Sequence, residues 1–289
     1  MSFKIFLYKY ILQWIPDSLW IRLQFRRRMG VWPNLKNPKT FNEKLQWLKL
    51  HDRNPLYTKL VDKYEVKKIV AEQIGEEYTI PTLGVWNKFD DIDFGKLPNQ
   101  FVLKCTHDSG GLVVVKDKSK FDINAARTTI NNCLKMNYYW SMREWPYKNV
   151  KPRIIAEKYM ENKKEECLTD YKFFCFNGTP QIMYISKDKA KEPTTDFFDM
   201  VYNHLNIRMR DPNSNVIPPK PKNFEKMKSI AKTLAKDKTH IRIDFYCVDD
   251  KIYLGELTFF HMSGFSHIYP KEWELILGDW IMLEHDSSK

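Results

Sequence analysis

Ile241-Arg242-Ile243-Asp244-Phe245-Tyr246-Cys247-Val248, the charged turn Asp249-Asp250-Lys251, and Ile252-Tyr253-Leu254-Gly255-Glu256-Leu257-Thr258 read as two β-strands joined by a short turn. The residues alternate, so Arg242, Asp244 and Tyr246 share one face of a strand while Ile241, Ile243 and Phe245 share the other. With a three-residue turn the two strands form a hairpin in which Asp244 stands opposite Glu256 and Arg242 opposite Thr258. A five-residue turn keeps that register and a two-residue turn breaks it. Opposed carboxylates carry Cβ atoms roughly 4.5–5.5 Å apart and repel, which asks for a cation between them. Magnesium suits such a pair, because it takes hard oxygen ligands, commonly one or two carboxylates completed by waters and phosphates. The competing reading is an ordinary ion pair between one acid and Arg242.

Outward from this hairpin, Tyr171–Phe176, the turn Asn177-Gly178 and Pro180–Ile185 spell a second hairpin. A helix is expected over 224–235, after the proline-rich connection 217–223. Ile154-Ile155-Ala156 reads as a short buried strand, and residues 122–139 are helical in composition. Phe101-Val102-Leu103-Lys104, bounded by Pro98 and by Ser109-Gly110-Gly111, precedes Leu112–Val115 in a pattern of strand, glycine turn, strand. Residues 59–73 read as one helix ended by Gly75. Thr40 with Glu43 marks a capping box opening another helix, which carries Leu45, Trp47 and Leu48. Residues 3–28 give two helical runs separated by Pro16 and closed by Arg26, Arg27 and Arg28; such a basic, aromatic stretch either lies on an anionic membrane or covers a core. No internal repeat is present.

Lys104 ends its strand just before the loop Cys105-Thr106-His107-Asp108-Ser109-Gly110-Gly111, and the glycines Gly110 and Gly111 let backbone N–H groups approach an anion closely. The same pattern also closes plain hairpins. The chain has neither a G-x-x-x-x-G-K-[ST] nor a G-x-G-x-x-G sequence.

Several of these parts stand in a recognisable order: Asp62-Lys63 at a helix start, Lys104 with its Gly-Gly loop, Glu157-Lys158-Tyr159-Met160 after a strand, then Arg242-Ile-Asp244 and Gly255-Glu256-Leu-Thr258. This succession resembles the ATP-grasp ligases. The phrases FNEKLQWLK, FVLKCTHDSGG, DYKFFCFNG and GELTFFHMSG resemble the TupA-like branch, associated with teichuronopeptide and capsular polysaccharide biosynthesis, from about residue 35 to the C-terminus. The resemblance implies an α+β chain of the ATP-grasp fold, with ATP held between two α+β subdomains and a helical N-terminal extension. The divisions would be the extension at 1–58, the N-terminal and small subdomains with the glycine loop at 59–150, and the C-terminal subdomain with the metal site at 151–289. It further implies Lys63 and Lys104 on the phosphates of ATP, Glu157, Tyr159 and Met160 along the adenine, Asp170 near the ribose and Lys172 near the phosphates. Asp244 and Glu256 would carry Mg2+, and Arg242 would be catalytic, stabilising an acyl phosphate and the tetrahedral oxyanion. Thr258 stands where many members carry Asn and is a weaker, neutral oxygen donor. By the same resemblance His261, Ser263 and Gly264 edge the acceptor pocket, with His261 a candidate base. His107 reads as a phosphate contact or a structural histidine, and Cys105 as packing.

The implied reaction joins a carboxylate, through an acyl phosphate, to an amine; the branch's setting points to a uronic-acid carboxyl of a cell-envelope polysaccharide and an amino acid or small amine. Charge agrees with acidic partners without selecting one. The chain has 47 Lys and Arg against 36 Asp and Glu, a net +11. Nucleic acid is not expected, and peripheral membrane contact would run through the basic N-terminal helices. With 18 Phe, 15 Tyr and 9 Trp among 289 residues, the chain can bury substantial cores, which excludes disordered and collagen-like classes. Five cysteines without a C-x-x-C pair argue against a disulfide framework and a thiolate zinc site, and for a cytoplasmic setting, at the inner face of the cell membrane where the basic helices bind it. Two rival readings are a glycosyltransferase and a non-catalytic polyanion-binding module. The first wants an acidic pair such as Asp91-Ile92-Asp93, which lies in a polar stretch before Gly95; the second gives the acids at 244 and 256 no purpose.

Overall fold

The computed structural model describes residues 12–108, 110–162, 168–187 and 192–283. Asp17–Met29 (α1) carries Arg26, Arg27 and Arg28 in its last turn and buries Ile21 and Phe25. The part of the expected N-terminal helical run at residues 3–11 lies outside the described residues. Phe41–His51 (α2) starts on a full capping box, in which the Thr40 side chain accepts from the Glu43 N–H and the Glu43 carboxylate accepts from the Thr40 N–H. The expected helix over 59–73 is instead two, Leu56–Val61 (α3) and Glu65–Ile74 (α4). The break has a cause in hydrogen bonding. Asp62 Oδ1 accepts from Tyr64 N at 2.8 Å, and Lys63 N donates across to Thr106 O at 3.1 Å, so these residues cap and tether instead of continuing the helix.

The smaller sheet contains Thr82–Trp86 (β1), Phe101–Cys105 (β2), Val113–Val115 (β3) and, after Ile123–Leu134 (α5) and Tyr139–Met142 (α6), Ile154–Lys158 (β4). Its order is β1-β4-β2-β3, antiparallel throughout. Phe101, Leu103, Ile154, Ala126 and Ile130 close a core between this sheet and α5. Because β4 is bonded on both edges by β1 and β2, the smaller unit runs through residue 158 and not 150.

The larger sheet takes Asp170–Phe176 (β5), Thr179–Lys187 (β6), Thr194–Asp199 (β7), His204–Leu205 (β8) and, after Phe224–Ala235 (α7), His240–Val248 (β9) and Lys251–Thr258 (β10). Its order is β10-β9-β5-β6-β7-β8. Phe173, Ile243, Phe245, Met227 and Ile230 share the main core, and so do Phe41 and Leu45 of α2. Residues 41–51 therefore belong to the larger unit's core, with α2 packed on Glu272–Asp279 (α8), and are not a free-standing extension.

The decisive hairpin reaches its expected register by another route. Asp249 and Asp250 have φ of 50° and 62°, and Lys251 pairs with Val248, so the turn is the two-residue kind that alone would offset the pairing. A bulge at Gly255 restores it: Leu254 faces Phe245, while Glu256 faces Asp244 and Thr258 faces Arg242. A Cβ on Gly255 would lie 2.6 Å from Tyr246 Cε2. Gly255→Ala is expected to cost about 1–3 kcal/mol in urea unfolding through this overpacking. An unchanged midpoint would show that the ring moves aside freely.

Candidate active site

The bulge lines up side chains across four strands. Along one row of the sheet face lie Glu256, Asp244, Lys172 and Tyr184, and along the next lie Thr258, Arg242 and Phe174. Arg242 grips Asp244 bidentately, Nε to Oδ1 at 2.7 Å and Nη2 to Oδ2 at 2.8 Å. Lys172 donates to Asp244 Oδ2 from the adjacent strand and lies 3.1 Å from Asp170. Both expectations for the hairpin are met at once, since the acids face each other and one of them pairs with Arg242.

Burial alone would raise the pKa of Asp244, but the Arg242 and Lys172 charges outweigh it and hold the carboxyl at about 2. Lys172 is pushed up, burial being overcome chiefly by Asp244. Glu256 is different. Its side chain is 43% exposed and stands 3.8 Å from Arg242 Nη2. Thr258 Oγ1 accepts from Arg242 Nη2 at 3.1 Å, so its oxygen is engaged by the guanidinium.

A cleft between the two sheets brings Lys63, Lys67, Lys104, Glu157 and Glu256 to one wall-to-wall space, closed by apolar side chains such as Val70, Ile80 and Leu257. The sheets are tied together beside it by a bridge from Thr79 to Leu254. Glu157 is buried and pairs with Lys67 at 2.5 Å and Lys104 at 2.6 Å. Burial opposes its ionisation, yet the Lys104 and Lys67 charges prevail and lower its pKa. Lys63 reaches over to the carbonyl of Asp108 in the glycine loop. Gly111 takes a left-handed φ of 62°, and a Cβ there would lie 2.5 Å from Cys133 Sγ; Gly110 is exposed. His107 is buried with Nε2 3.2 Å from Met136 O, and Cys105 is a buried packing residue.

The structure thus unites Lys63, Lys104, Glu157 and Glu256, with Asp244, Arg242, Lys172 and Asp170 next to them on the sheet. Tyr159 and Met160 are half-buried just past β4 and are not lining residues of the cleft; the Tyr159 ring lies under the ammonium of Lys116. Asp91 and Asp93 are exposed, and Asp93 caps the local turn at Gly95. Lys67 escaped the sequence reading although it follows Lys63 at helical spacing, a signal available in principle. Tyr184 also escaped it, although it lies in the strand expected over Pro180–Ile185.

His261 is buried, and its Nδ1 sits 2.7 Å from Arg242 Nη1. Burial first, then the Arg242 charge, push its pKa well below the ordinary histidine value, so the ring is neutral. A guanidinium only donates, hence Nδ1 accepts and the ring proton is on Nε2. That assignment removes His261 as a ready base, because its basic nitrogen is already occupied by Arg242.

As for a divalent ion, no group of three or more His, Cys, Asp or Glu able to hold one occurs among the described residues. Two facing carboxylates, one of them half-exposed to the cleft, nevertheless fit Mg2+, which rarely uses an all-protein cage and completes its shell with water and phosphate oxygen.

The family model for TupA-like ATP-grasp matches residues 43–282, and the chain belongs to that family. Its members share the fold of ATP-grasp ligases, enzymes that use ATP and typically Mg2+. No curated protein matches the chain. Among solved structures it is similar to D-alanine–D-alanine ligase from Bacillus anthracis complexed with ATP, at 19% identity, 70% of this chain, 54% of that one and a TM-score of 0.41. A second structure of that enzyme gives 17% identity, 81% and 72% coverage and a TM-score of 0.49. An L-amino acid ligase from Bacillus licheniformis gives 11% identity, 88% and 57% coverage and a TM-score of 0.47. The chain thus spans about half the length of the first of these.

Replacing Glu157 by Gln leaves Lys67 and Lys104 facing a neutral amide, with an expected loss of about 2 kcal/mol, modest for a broken buried pair because both lysines reach solvent. Since the folded pKa of Glu157 is lowered, its stabilisation is complete above the ordinary carboxyl value of 4.5 and is lost as pH falls below it. Urea unfolding of wild type and variant should therefore converge at acid pH; a gap that persists there would contradict the ion-pair account.

Proposed function

We propose that the protein is an ATP-dependent, ADP-forming carboxylate–amine ligase. The observation that carries this reading is the position of Glu256, which faces Asp244 on the sheet while lining the same cleft as Lys63, Lys104 and Glu157. Lysines on one side and paired acids on the other suit a triphosphate whose charge is shared between ammonium groups and a divalent ion. The apolar wall of Val70, Ile80 and Leu257 offers a flat base a dry surface.

In the proposed reaction a substrate carboxylate attacks the γ-phosphorus and the bond to the β-phosphate oxygen breaks, giving an acyl phosphate and ADP. An amine then attacks the acyl carbon, loses a proton and expels phosphate, leaving an amide. Asp244 and Glu256 would hold Mg2+, which when bound neutralises charge on the phosphates. Lys63 and Lys104 orient the triphosphate from the smaller sheet. Arg242, fixed by Asp244 in a buried setting, keeps a permanent positive charge against the oxyanion, and its rigidity means little reorganisation during reaction. No protein nucleophile is required.

We assign the carboxylate to a uronic acid of a cell-envelope glycan or its precursor and the amine to an amino acid or small amine, on the strength of the TupA-like family membership. ADP release in wild type should require ATP, Mg2+, a uronic-acid glycan and an amine together, and should fall about 100-fold or more in Glu256→Ala. ADP release indifferent to the co-substrates, or sugar-nucleotide consumption without ATP, would defeat this reading.

We also propose that α1 contacts an anionic membrane surface from the side. Leu19 and Leu23 are exposed on the helix whose last turn carries Arg26, Arg27 and Arg28, and Trp14 is exposed just ahead of its start, a combination suited to headgroups. Among the described residues no helix is long and apolar enough to cross a membrane. Co-sedimentation with phosphatidylglycerol vesicles, lost in a Trp14→Ser, Arg26→Glu, Arg27→Glu variant, is the expected result; equal sedimentation of the two proteins would refute it.

A further inference from the structure

Three consecutive residues after the acid strand, Met262, Ser263 and Gly264, have left-handed backbones, with φ of 47°, 54° and 65°. Glycine accepts that region freely; methionine and serine do not, and such strain persists only where the surroundings over-determine it. Met262 gains little by burial, being 45% exposed at the border of a cavity of some 840 Å³ over β5, β6 and β7. The turn opens at His261, whose Nδ1 takes the Arg242 hydrogen bond at 2.7 Å. Its shape therefore decides where the imidazole meets the guanidinium.

The hold on this turn is built from groups that are costly to bury. Asn42, Gln46 and Lys49 follow one another at helical spacing along α2 and are almost fully buried. Asn42 exchanges two hydrogen bonds with the backbone of Ser266, at 2.7 and 3.0 Å. Gln46 Nε2 donates to the carbonyls of Ser263 at 2.9 Å and Gly264 at 2.7 Å. Lys49 Nζ bridges the carbonyls of Ser263 at 2.8 Å and Met142 at 2.9 Å. A Cβ on Gly264 would lie 2.5 Å from Gln46 Nε2, so turn and helix fit without slack. The side chain of Ser263 is held separately: its hydroxyl donates to Glu144 Oε1 and, with its one hydrogen thus used, accepts from Tyr138 OH at 3.0 Å. Burial pushes the Glu144 carboxyl above its ordinary value against the opposing Lys49 charge, and the Glu256 charge adds to the rise, so this cluster lies within electrostatic reach of the cleft.

Apolar side chains of similar volume hold a loop at less cost than buried ions do, so a polar clamp on a strained turn beside the acid row points to placement of a working group. We propose that Glu144 is a positioning residue for Arg242: acting through Ser263, with Gln46 and Lys49 on the backbone, it holds the left-handed turn that sets His261 against the guanidinium. The inference deepens the ligase reading, on which it rests for the role of Arg242. Asp244 fixes the Nε and Nη2 edge of the guanidinium, and His261 fixes Nη1, so its plane cannot swing. Without the second restraint the group reorganises as charge develops, which weakens its effect on the transition state. The clamp also accounts for the buried polar members of FNEKLQWLK, whose Leu45 and Leu48 serve the core.

The ring nitrogens of His261 in the full chain, assigned with a His261→Gln variant, are read by long-range 1H–15N NMR beside steady-state ADP release. Wild type should show one tautomer, with Nε2 protonated and Nδ1 accepting. Glu144→Ala and Ser263→Ala should each move the Nδ1 resonance toward that of an unrestrained imidazole and lower kcat about tenfold or more, with the KM for ATP kept within about twofold. Because Glu144 acts through Ser263, the double variant should lose no more than either single one. Glu144→Gln still offers an oxygen to the Ser263 hydroxyl and should keep about half the rate or more. If Glu144→Ala does not fold, Ser263→Ala and Glu144→Gln carry the comparison. A merely structural contact would lower the unfolding midpoint and leave the resonances and kcat unmoved. Unshifted His261 resonances in Ser263→Ala, losses that multiply in the double variant, a Gln variant as impaired as the Ala variant, or a KM effect with kcat intact would overturn the proposal. Absence of ADP release from wild type would remove the ligase reading, and the histidine resonances would then decide the restraint by themselves.

Discussion

The buried carboxylate of Asp244 is the constraint around which the larger sheet is arranged. An ion at the centre of a sheet is tolerable only with close counter-charges, and here Arg242 supplies two aligned hydrogen bonds from its own strand while Lys172 supplies another from β5. Arg242 in turn is fixed on its remaining sides by His261 and Thr258. One acid therefore sets the posture of a guanidinium, the tautomer of an imidazole and the position of an ammonium. Glu256 is left comparatively uncommitted, half-exposed at the cleft.

The smaller sheet repeats this logic with the same signs of charge. Glu157 is the buried ion, and Lys67 and Lys104 are its partners, both partly exposed toward the cleft. These lysines have a structural task in the protein by itself, as the counter-charges of a buried carboxylate. The break between α3 and α4 serves the same space. By capping with Asp62 and tethering Lys63 to Thr106 and Asp108, the chain directs a third ammonium to the glycine loop. Gly111 is needed there for its left-handed backbone and its close packing on Cys133.

Strand parity made much of this legible in advance. Arg242, Asp244 and Glu256 follow from alternation, and the second hairpin follows from Asn177-Gly178. Yet the register of the key hairpin came from a two-residue turn corrected by a bulge, because the left-handed aspartates at 249 and 250 and the Tyr246 ring over Gly255 are settled by the chain's packing. The division of the chain was less readable. β4 sits centrally in the smaller sheet because its edges pair with β1 and β2, and α2 enters the larger core through Phe41, neither of which is encoded in any local window.

What the sequence determined by itself is which faces carry polar side chains, where helices are capped, and the ordered set of motifs that marks the TupA-like ATP-grasp family, since periodicity and capping act over a few residues. Tertiary structure alone decided that Lys67 joins Lys104 on Glu157, that His261 accepts from Arg242, and that a cavity opens over β5 to β7 beside the acids. Those are contacts between segments far apart in the chain, and such contacts exist only once the sheets have packed and excluded the water that would otherwise satisfy each group separately.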